Sequence, residues 1–338
     1  LRARQVNVSV IKTNQPSNIA EQIEKESLNQ PIQGIYFLPT VEEEQTLAQL
    51  DQPAWQNLIE TRFHSLVAAL RILPDLKFLV VATAFDGLHG LSQSGSAAII
   101  PGAAAGFAKA MERERKELFV KVVDSQPSEK AAIIAEHLLA ETLSDPAITE
   151  VAWEGGQRFT LVLSPETSTG EQTAPLAAGT VFLVSGGTGG ITAPIICDLA
   201  KTTQGHFYLL GRSPLPAKDD PNLQLVLGDA NELKQSLMQL MATDGHKVTP
   251  AMVNNQIAAL TRAAATLETM QNVEKAGGKA EYLVCDVTDK QAVEKAVSQV
   301  FNSEGRVDVL LHAAGMERSR KLESKPDEEF RQIFDIKV

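Results

Sequence analysis

The chain has 338 residues, 43% hydrophobic and 22% charged, which is apolar material for two domains of ordinary size. Aromatics are 5%, so the cores must be built mostly from Leu, Ile, Val and Ala. The formal net charge of -11 has the wrong sign for a general nucleic-acid binder, and no apolar run reaches the ~20 residues of a membrane span.

Cys197 and Cys285 lie in apolar stretches outside any CxxC pair. That favours reduced, buried thiols in a cytoplasmic protein over a disulfide, and no metal site is expected. The chain starts at Leu1 without Met and stops at Val338 inside a helical pattern. Both ends are therefore expected to be cuts in a longer polypeptide.

The first part alternates apolar runs with amphipathic stretches. Strands are expected at Gly34–Leu38, Phe78–Ala82 and Phe119–Val123 from their unbroken apolarity. Helices are expected from Trp55 to Leu70, near Ala103–Met111 and from about Ser128. A hairpin, Ile148–Trp153 and Arg158–Leu163, turns at Gly155-Gly156. Strands alternating with helices predict a parallel sheet covered by helices. Asp86-Gly87-Leu88-His89-Gly90 follows a strand without the spacing of a phosphate loop, so this part reads as Rossmann-like without a working nucleotide site. Ser164–Gly179, polar and rich in Pro and Gly, reads as a linker.

A second α/β unit starts at Thr180. Val181–Val184 is a buried strand, followed by a glycine loop and a helix to about Lys201. Phe207–Leu210 is the next strand. The stretch 214–278 is too long for an ordinary connection and carries two helical patterns, Ala230–Met241 and one starting at Thr249-Pro250. It reads as a helical insertion. Tyr282–Cys285 is a third strand, and Thr288-Asp289-Lys290-Gln291 fits a capping box for the helix after it. Val307–Leu311 is a fourth strand, and a last helix runs from near Pro326 through Lys337.

Four features fall at the ends of these four strands. Gly186, Gly187, Thr188, Gly189, Gly190 and Ile191 lie between a strand and a helix, the context in which glycines bring backbone N–H groups and a helix N-terminus to a pyrophosphate. Gly211, Arg212 and Ser213 end the second strand, where an NAD-preferring enzyme places Asp or Glu. A guanidinium beside a hydroxyl suits a 2′-phosphate instead, hence NADPH. Asp286 and Val287 end the third strand, where adenine would lie. His312, Ala313, Ala314 and Gly315 end the fourth, with small residues that let the backbone pass close to a ribose. His312 taken singly reads as a packed strand-end histidine. Together the four lie along the carboxyl edge of one sheet, where ligands bind in open α/β folds.

With these motifs the chain resembles the short-chain dehydrogenase/reductase superfamily, and within it the ketoreductase domains of type I polyketide synthases and polyunsaturated fatty acid synthases. Pro101–Met111, VKVVD at 120–124 and EVAW to GQRF at 150–159 resemble the truncated Rossmann-like structural subdomain of that family. The resemblance implies two Rossmann-like units: residues 1–178 as structural subdomain with linker, and 179–338 as part of the NADPH-binding catalytic subdomain, incomplete at its end. Thr192, the long insertion and MERSRKL after HAAG resemble the polyunsaturated fatty acid synthase type more than the modular one.

Lys337, in a Lys-Val pair on the helix after HAAG, matches the lysine of the family's catalytic tetrad. The tetrad's Ser, Tyr and Asn would follow beyond this chain. The resemblance implies NADPH-dependent reduction of a β-ketoacyl chain held on the phosphopantetheine arm of an acyl carrier protein, among other domains of the same megasynthase. Arg318, Arg320 and Lys321 are candidates for contact with the arm's phosphate or the acidic carrier. The fragment alone is expected not to reduce substrate. The alternative is an inactive reductase-like scaffold within a megasynthase.

Overall fold

A computed structural model describes residues 6–12, 18–42, 44–93, 96, 98–166, 176–217, 220–226, 230–242 and 248–337. It divides into two compact units, Leu1–Thr167 with Lys321–Ser324, and Ser168–Arg320 with Lys325–Val338. Of the expected linker, residues 167–175 lie outside the described residues. Among the described residues no helix is long and apolar enough to cross a membrane, and no cluster of His, Cys, Asp and Glu is arranged to hold a metal.

The first unit is built on a five-stranded sheet in the order β1-β2-β3-β4-β5. Its strands are β1 (Gly34–Phe37), β2 (Phe78–Thr83), β3 (Phe119–Ser125), β4 (Glu150–Glu154) and β5 (Gln157–Thr160). The first four are parallel, and β5 turns back on β4 through Gly155 and Gly156, both at positive φ. Leu79, Val80, Val81 and Ala82 are fully buried, as a central strand covered on both faces requires.

A helix absent from the sequence reading, α1 (Ile19–Asn29), buries only Ile19 and Ile23, too sparse a stripe to stand out. The stretch expected as one helix from Trp55 is two, α2 (Gln52–Ile59) and α3 (Ser65–Ile72), joined by a π-helical turn over Glu60–His64. That turn buries Arg62, Phe63 and His64. The remaining helices of this unit are α4 (Ile100–Glu114) and α5 (Ala131–Leu143).

The loop after β2 closes on carboxylates of its own unit. Fully buried Asp124, on β3, accepts from the Thr83 hydroxyl at 2.7 Å and from the amides of Phe85, Gly87 and His89, each at 2.9 Å. Asp86 accepts from the amides of Leu88, Gly90 and Ser92. Backbone donors that gather here, as they would around an anion, already face an internal one.

The second unit carries a four-stranded parallel sheet in the order β8-β7-β6-β9. Its strands are β6 (Val181–Ser185), β7 (His206–Gly211), β8 (Lys279–Val284) and β9 (Val309–His312). Helix α6 (Thr192–Thr203) follows β6, and α10 (Lys290–Glu304) follows β8. One face buries Val181, Leu183, Tyr208 and Leu210 against Ala296 and Val300 of α10. The other buries Phe182, Val184, Phe207 and Leu209 against Ile196 and Ala200 of α6 and Val273. Apolar residues alternate to opposite faces and both are covered, so this is a doubly wound sheet.

Residues 214–278 hold three helices among the described residues, α7 (Pro221–Val226), α8 (Ala230–Ala242) and α9 (Pro250–Lys275). Leu223, Leu233, Leu237, Val253 and Leu260 give them a core of their own. The last turns of α9 leave that core, and Val273 packs on the sheet. One helix therefore serves both as part of the added lobe and as the crossover that a parallel β7–β8 pair needs.

Two local readings are corrected. The cap of α10 is Asp289, which accepts from the amides of Gln291 and Ala292, because Thr288 is committed to Asp286. Both cysteines are free, but only Cys285 is buried, and Cys197 is half-buried on α6.

Candidate active site

The register of the second sheet brings all four strand ends to one edge. Ser185 lies opposite Leu210 on one side and His312 on the other, and Gly211 lies opposite Val284. The chain order reverses between β6 and β9, so the glycine loop and HAAG flank the crevice where such sheets bind ligands.

The glycines have separate tasks. Gly186 is at φ +66°, and a Cβ there would stand 2.6 Å from the backbone of Ala313 and Ala314. It lets the loop cross the end of β9. A Cβ on Gly187 would meet Ile196, Val184 and Leu209 at 2.9–3.1 Å, so this residue sets a close helix–strand contact. Gly190 is at φ +25°, and a Cβ there would meet nothing within 4 Å, so its face of the loop is open. Helix α6 starts just beyond, at Thr192. Among the described residues no internal acceptor takes the N–H groups of Thr188, Gly190 or Ile191. Ile191 itself is 81% exposed at the loop's tip.

His312 is exposed rather than packed, and both its ring nitrogens are engaged. Nε2 lies 3.0 Å from the carbonyl of Ile336, and Nδ1 lies 2.7 Å from the Ser185 hydroxyl. A carbonyl only accepts, so Nε2 carries the proton and Nδ1 accepts from Ser185. The Ser185 oxygen accepts in turn from the Ala314 amide. The imidazole ties β6 and β9 to the last turn of α11 (Asp327–Lys337). Lys337 is exposed there, and its Cε would lie in ordinary van der Waals contact, at 3.4 Å, with a Cβ on Gly315, so the lysine stem passes beside the end of HAAG.

At the second and third strand ends, Arg212 and Ser213 are exposed, and Asp286 and Val287 are half-buried. Asp286 accepts from the amide and hydroxyl of Thr288, and these bonds hold its carboxyl below the usual aspartate range, with Arg212 adding a smaller pull in the same direction. Arg212 and Asp286 thus feel each other across the edge. Tyr282, which the sequence reading did not single out, donates its hydroxyl to the Ser213 carbonyl at 2.7 Å. Arg318 and Arg320 each lie 3.3 Å from Glu329 in the first turn of α11, so their charges face an internal carboxylate.

Comparison with known proteins places the resemblance in the second unit. Residues 180–338 match the model of the KR domain. That match takes in under half of the chain, and it is the second unit that is similar to a ketoreductase domain. The chain is 27% identical over 269 residues to a polyunsaturated fatty acid synthase polypeptide of a Thraustochytrium species, covering 76% of this chain and 9% of that one. It is 31% identical over 204 residues to an erythronolide synthase of Saccharopolyspora erythraea, covering 59% of this chain and 5% of that one. The chain thus spans a small part of these relatives. A solved multidomain structure of a keto acid-selecting NRPS module, with adenylation, ketoreductase and pseudo Asub domains, shares the fold at a TM-score of 0.70 and 16% identity. That match covers 97% of this chain and 24% of that one. The fold is one that binds a nicotinamide cofactor.

The residues of the second unit fit such a cofactor. Gly190 presents an open face that any side chain would fill, beside unclaimed amides at a helix start. No carboxylate stands at Gly211–Ser213, where one would repel a 2′-phosphate.

Proposed function

We propose that the second unit binds NADPH and contributes the cofactor site and Lys337 to the reduction of a β-ketoacyl chain carried on the phosphopantetheine arm of an acyl carrier protein, within a multidomain synthase. Support for the class of reaction comes from the KR match and from the synthases among the relatives. The single observation behind NADPH is Arg212, exposed at the end of β7 on the same edge as the glycine loop.

In this reading the amides of Thr188, Gly190 and Ile191 receive the pyrophosphate, and Gly186, Gly187 and Gly189 shape the loop. Arg212 and Ser213 take the 2′-phosphate, with Gly211 as the pivot into the sheet. The free oxygen of Asp286 and the backbone of Val287 border the adenine. Ala313, Ala314 and Gly315 border the nicotinamide-side ribose, and His312 holds β9 to α11. The bound cofactor supplies hydride to the ketone carbon. Lys337 would place a positive charge beside the reacting edge, where it would favour the ionised form of the tetrad tyrosine that the family resemblance implies, and so that residue's role as proton donor to the developing alkoxide.

Arg212 is not sequestered by Asp286. The two are exposed or half-buried, where such pairs are weak, whereas a guanidinium on a phosphate makes charge-assisted, bidentate bonds. The test is calorimetric binding of NADPH and NADH to the protein and to Arg212→Ala. The expected result is a loss of roughly 10- to 100-fold for NADPH with NADH unchanged, the weight of one charged hydrogen-bonding group. Equal affinity of the unsubstituted protein for both cofactors refutes the assignment.

A further inference from the structure

We propose that Tyr282 is a positioning residue for cofactor choice: its hydroxyl ties down the backbone that presents Arg212 and Ser213, and so sets the preference for a 2′-phosphorylated cofactor. The inference rests on the reading of Arg212 as the partner of that phosphate.

Tyr282 sits on β8 with Leu209 as its partner on β7, and Gly211 lies two residues further along the same face. The ring reaches across Gly211. A Cβ on that glycine would fall 2.2 Å from the hydroxyl oxygen and 2.8 Å from Cζ, so only glycine leaves the path free. The ring packs at the edge of the cluster formed by Phe182, Val184, Phe207 and Leu209. Its hydroxyl emerges on the Ser213 carbonyl at 2.7 Å. Burial pushes the phenol upward, so the hydroxyl stays a donor at any working pH.

Two fixed points therefore bracket Arg212. On one side the Gly211 carbonyl accepts from the Cys285 amide at 2.9 Å, the last rung of the sheet. On the other, Tyr282 holds the Ser213 carbonyl, and Pro214 confines Ser213 to extended conformations. Past Ser213 the described residues form no helix or strand until Pro221. The tether stands where regular structure gives out. An arginine on a backbone held at both neighbours loses less freedom when it closes on a phosphate than one on a loose loop. A dinucleotide without the 2′-phosphate does not use Arg212, so it gains nothing from the tether. This separates a positioning role from a merely structural one.

The test measures NADPH and NADH binding by calorimetry on the intact protein and on Tyr282→Phe, Gly211→Ala and Arg212→Ala. Phenylalanine keeps the ring and removes the donor. The expected result is NADPH binding weaker by roughly 3- to 10-fold, the weight of one ordinary hydrogen bond, with NADH unchanged. Gly211→Ala reaches the same bond from the other side, by displacing the ring, and should shift the ratio in the same direction. Unchanged affinities in both variants, or equal losses for both cofactors, overturn the inference. Should Arg212→Ala lower the NADPH preference while Tyr282→Phe and Gly211→Ala leave it intact, only the role of Tyr282 fails. Should Arg212→Ala leave the preference intact, the reading beneath it fails as well.

Discussion

Gly186 and Gly190 offer a paired perturbation in which fold and binding separate. Both are at positive φ, +66° and +25°, so alanine at either is strained by about 1–2 kcal/mol. Their surroundings differ. A methyl on Gly186 meets the Ala313 and Ala314 backbone at 2.6 Å, which cannot rotate away, whereas one on Gly190 meets nothing within 4 Å. Overpacking of a filled contact adds about 1–3 kcal/mol. Gly186→Ala should therefore cost about 2–5 kcal/mol, a large share of the ~5–15 kcal/mol that holds a domain together. Gly190→Ala should cost only the strain. The displacement in Gly186→Ala falls on two bonds, Ala313 amide to Ser185 carbonyl at 2.9 Å and Ala314 amide to Ser185 hydroxyl at 3.3 Å. Urea unfolding gives the stabilities, and hydrogen exchange at Ala313 and Ala314 locates the damage. Cofactor binding should fail in Gly190→Ala, whose methyl fills the open face, although the protein stays folded. A Gly186→Ala protein as stable as its parent, with both amides equally protected, refutes the steric argument. A Gly190→Ala protein that binds cofactor normally refutes the cradle.

Two further predictions concern the first unit. Lys121 and Glu141 are both fully buried, with Lys121 donating to the carbonyls of Asp145 and Ile148, and Glu141 bound to Arg158 at 2.7 Å. Burial pushes the Lys121 ammonium down, and Glu141, 3.9 Å away, opposes that, so Glu141→Ala should destabilise by about 3–5 kcal/mol and Lys121→Met by much less, since Glu141 keeps Arg158. Equal losses in urea unfolding would refute this ordering. Asp86 sits below the ordinary aspartate value of 3.8: burial acts to raise it, but the amides of Ser92, Gly90 and Leu88 together prevail. Its contribution is complete above 3.8 and is lost as pH falls through the lower folded value, so protection of the Leu88, Gly90 and Ser92 amides should hold above 3.8 and fall only below it. Asp86→Asn should abolish that dependence.

The sheets were legible in the sequence because their central strands are unbroken apolar runs. Val80 and Val184 are fully buried, as the centre of a strand covered on both faces requires. What was hidden depends on contacts remote in sequence. Asp289 rather than Thr288 caps α10 because Asp286 takes the threonine, a competition that a capping-box pattern cannot show. The Ser185–His312 bond spans 127 positions and the Tyr282–Ser213 bond 69, so neither has a local signature. The pairing of Arg318 and Arg320 with Glu329, eleven and nine residues further along the chain, likewise has no pattern that the sequence displays.

The two units show how little separates a sheet edge that can receive an anion from one that cannot. Each has a sheet of mainly or wholly parallel strands, and each has a loop after a buried strand in which backbone amides converge. In the first unit, β3 contributes Asp124, whose carboxylate takes the amides of Phe85, Gly87 and His89. A phosphate there would have to displace a fully buried carboxylate and then share its place with like charge. In the second unit the corresponding neighbour of the glycine loop is β9, which ends in His312, Ala313 and Ala314 and brings no carboxylate to the loop. His312, with Nδ1 turned to Ser185, claims a side chain rather than the loop amides. The glycines permit approach in both loops. What the adjacent strand carries at its end decides whether the amides remain available, and a glycine pattern read alone says nothing of that strand.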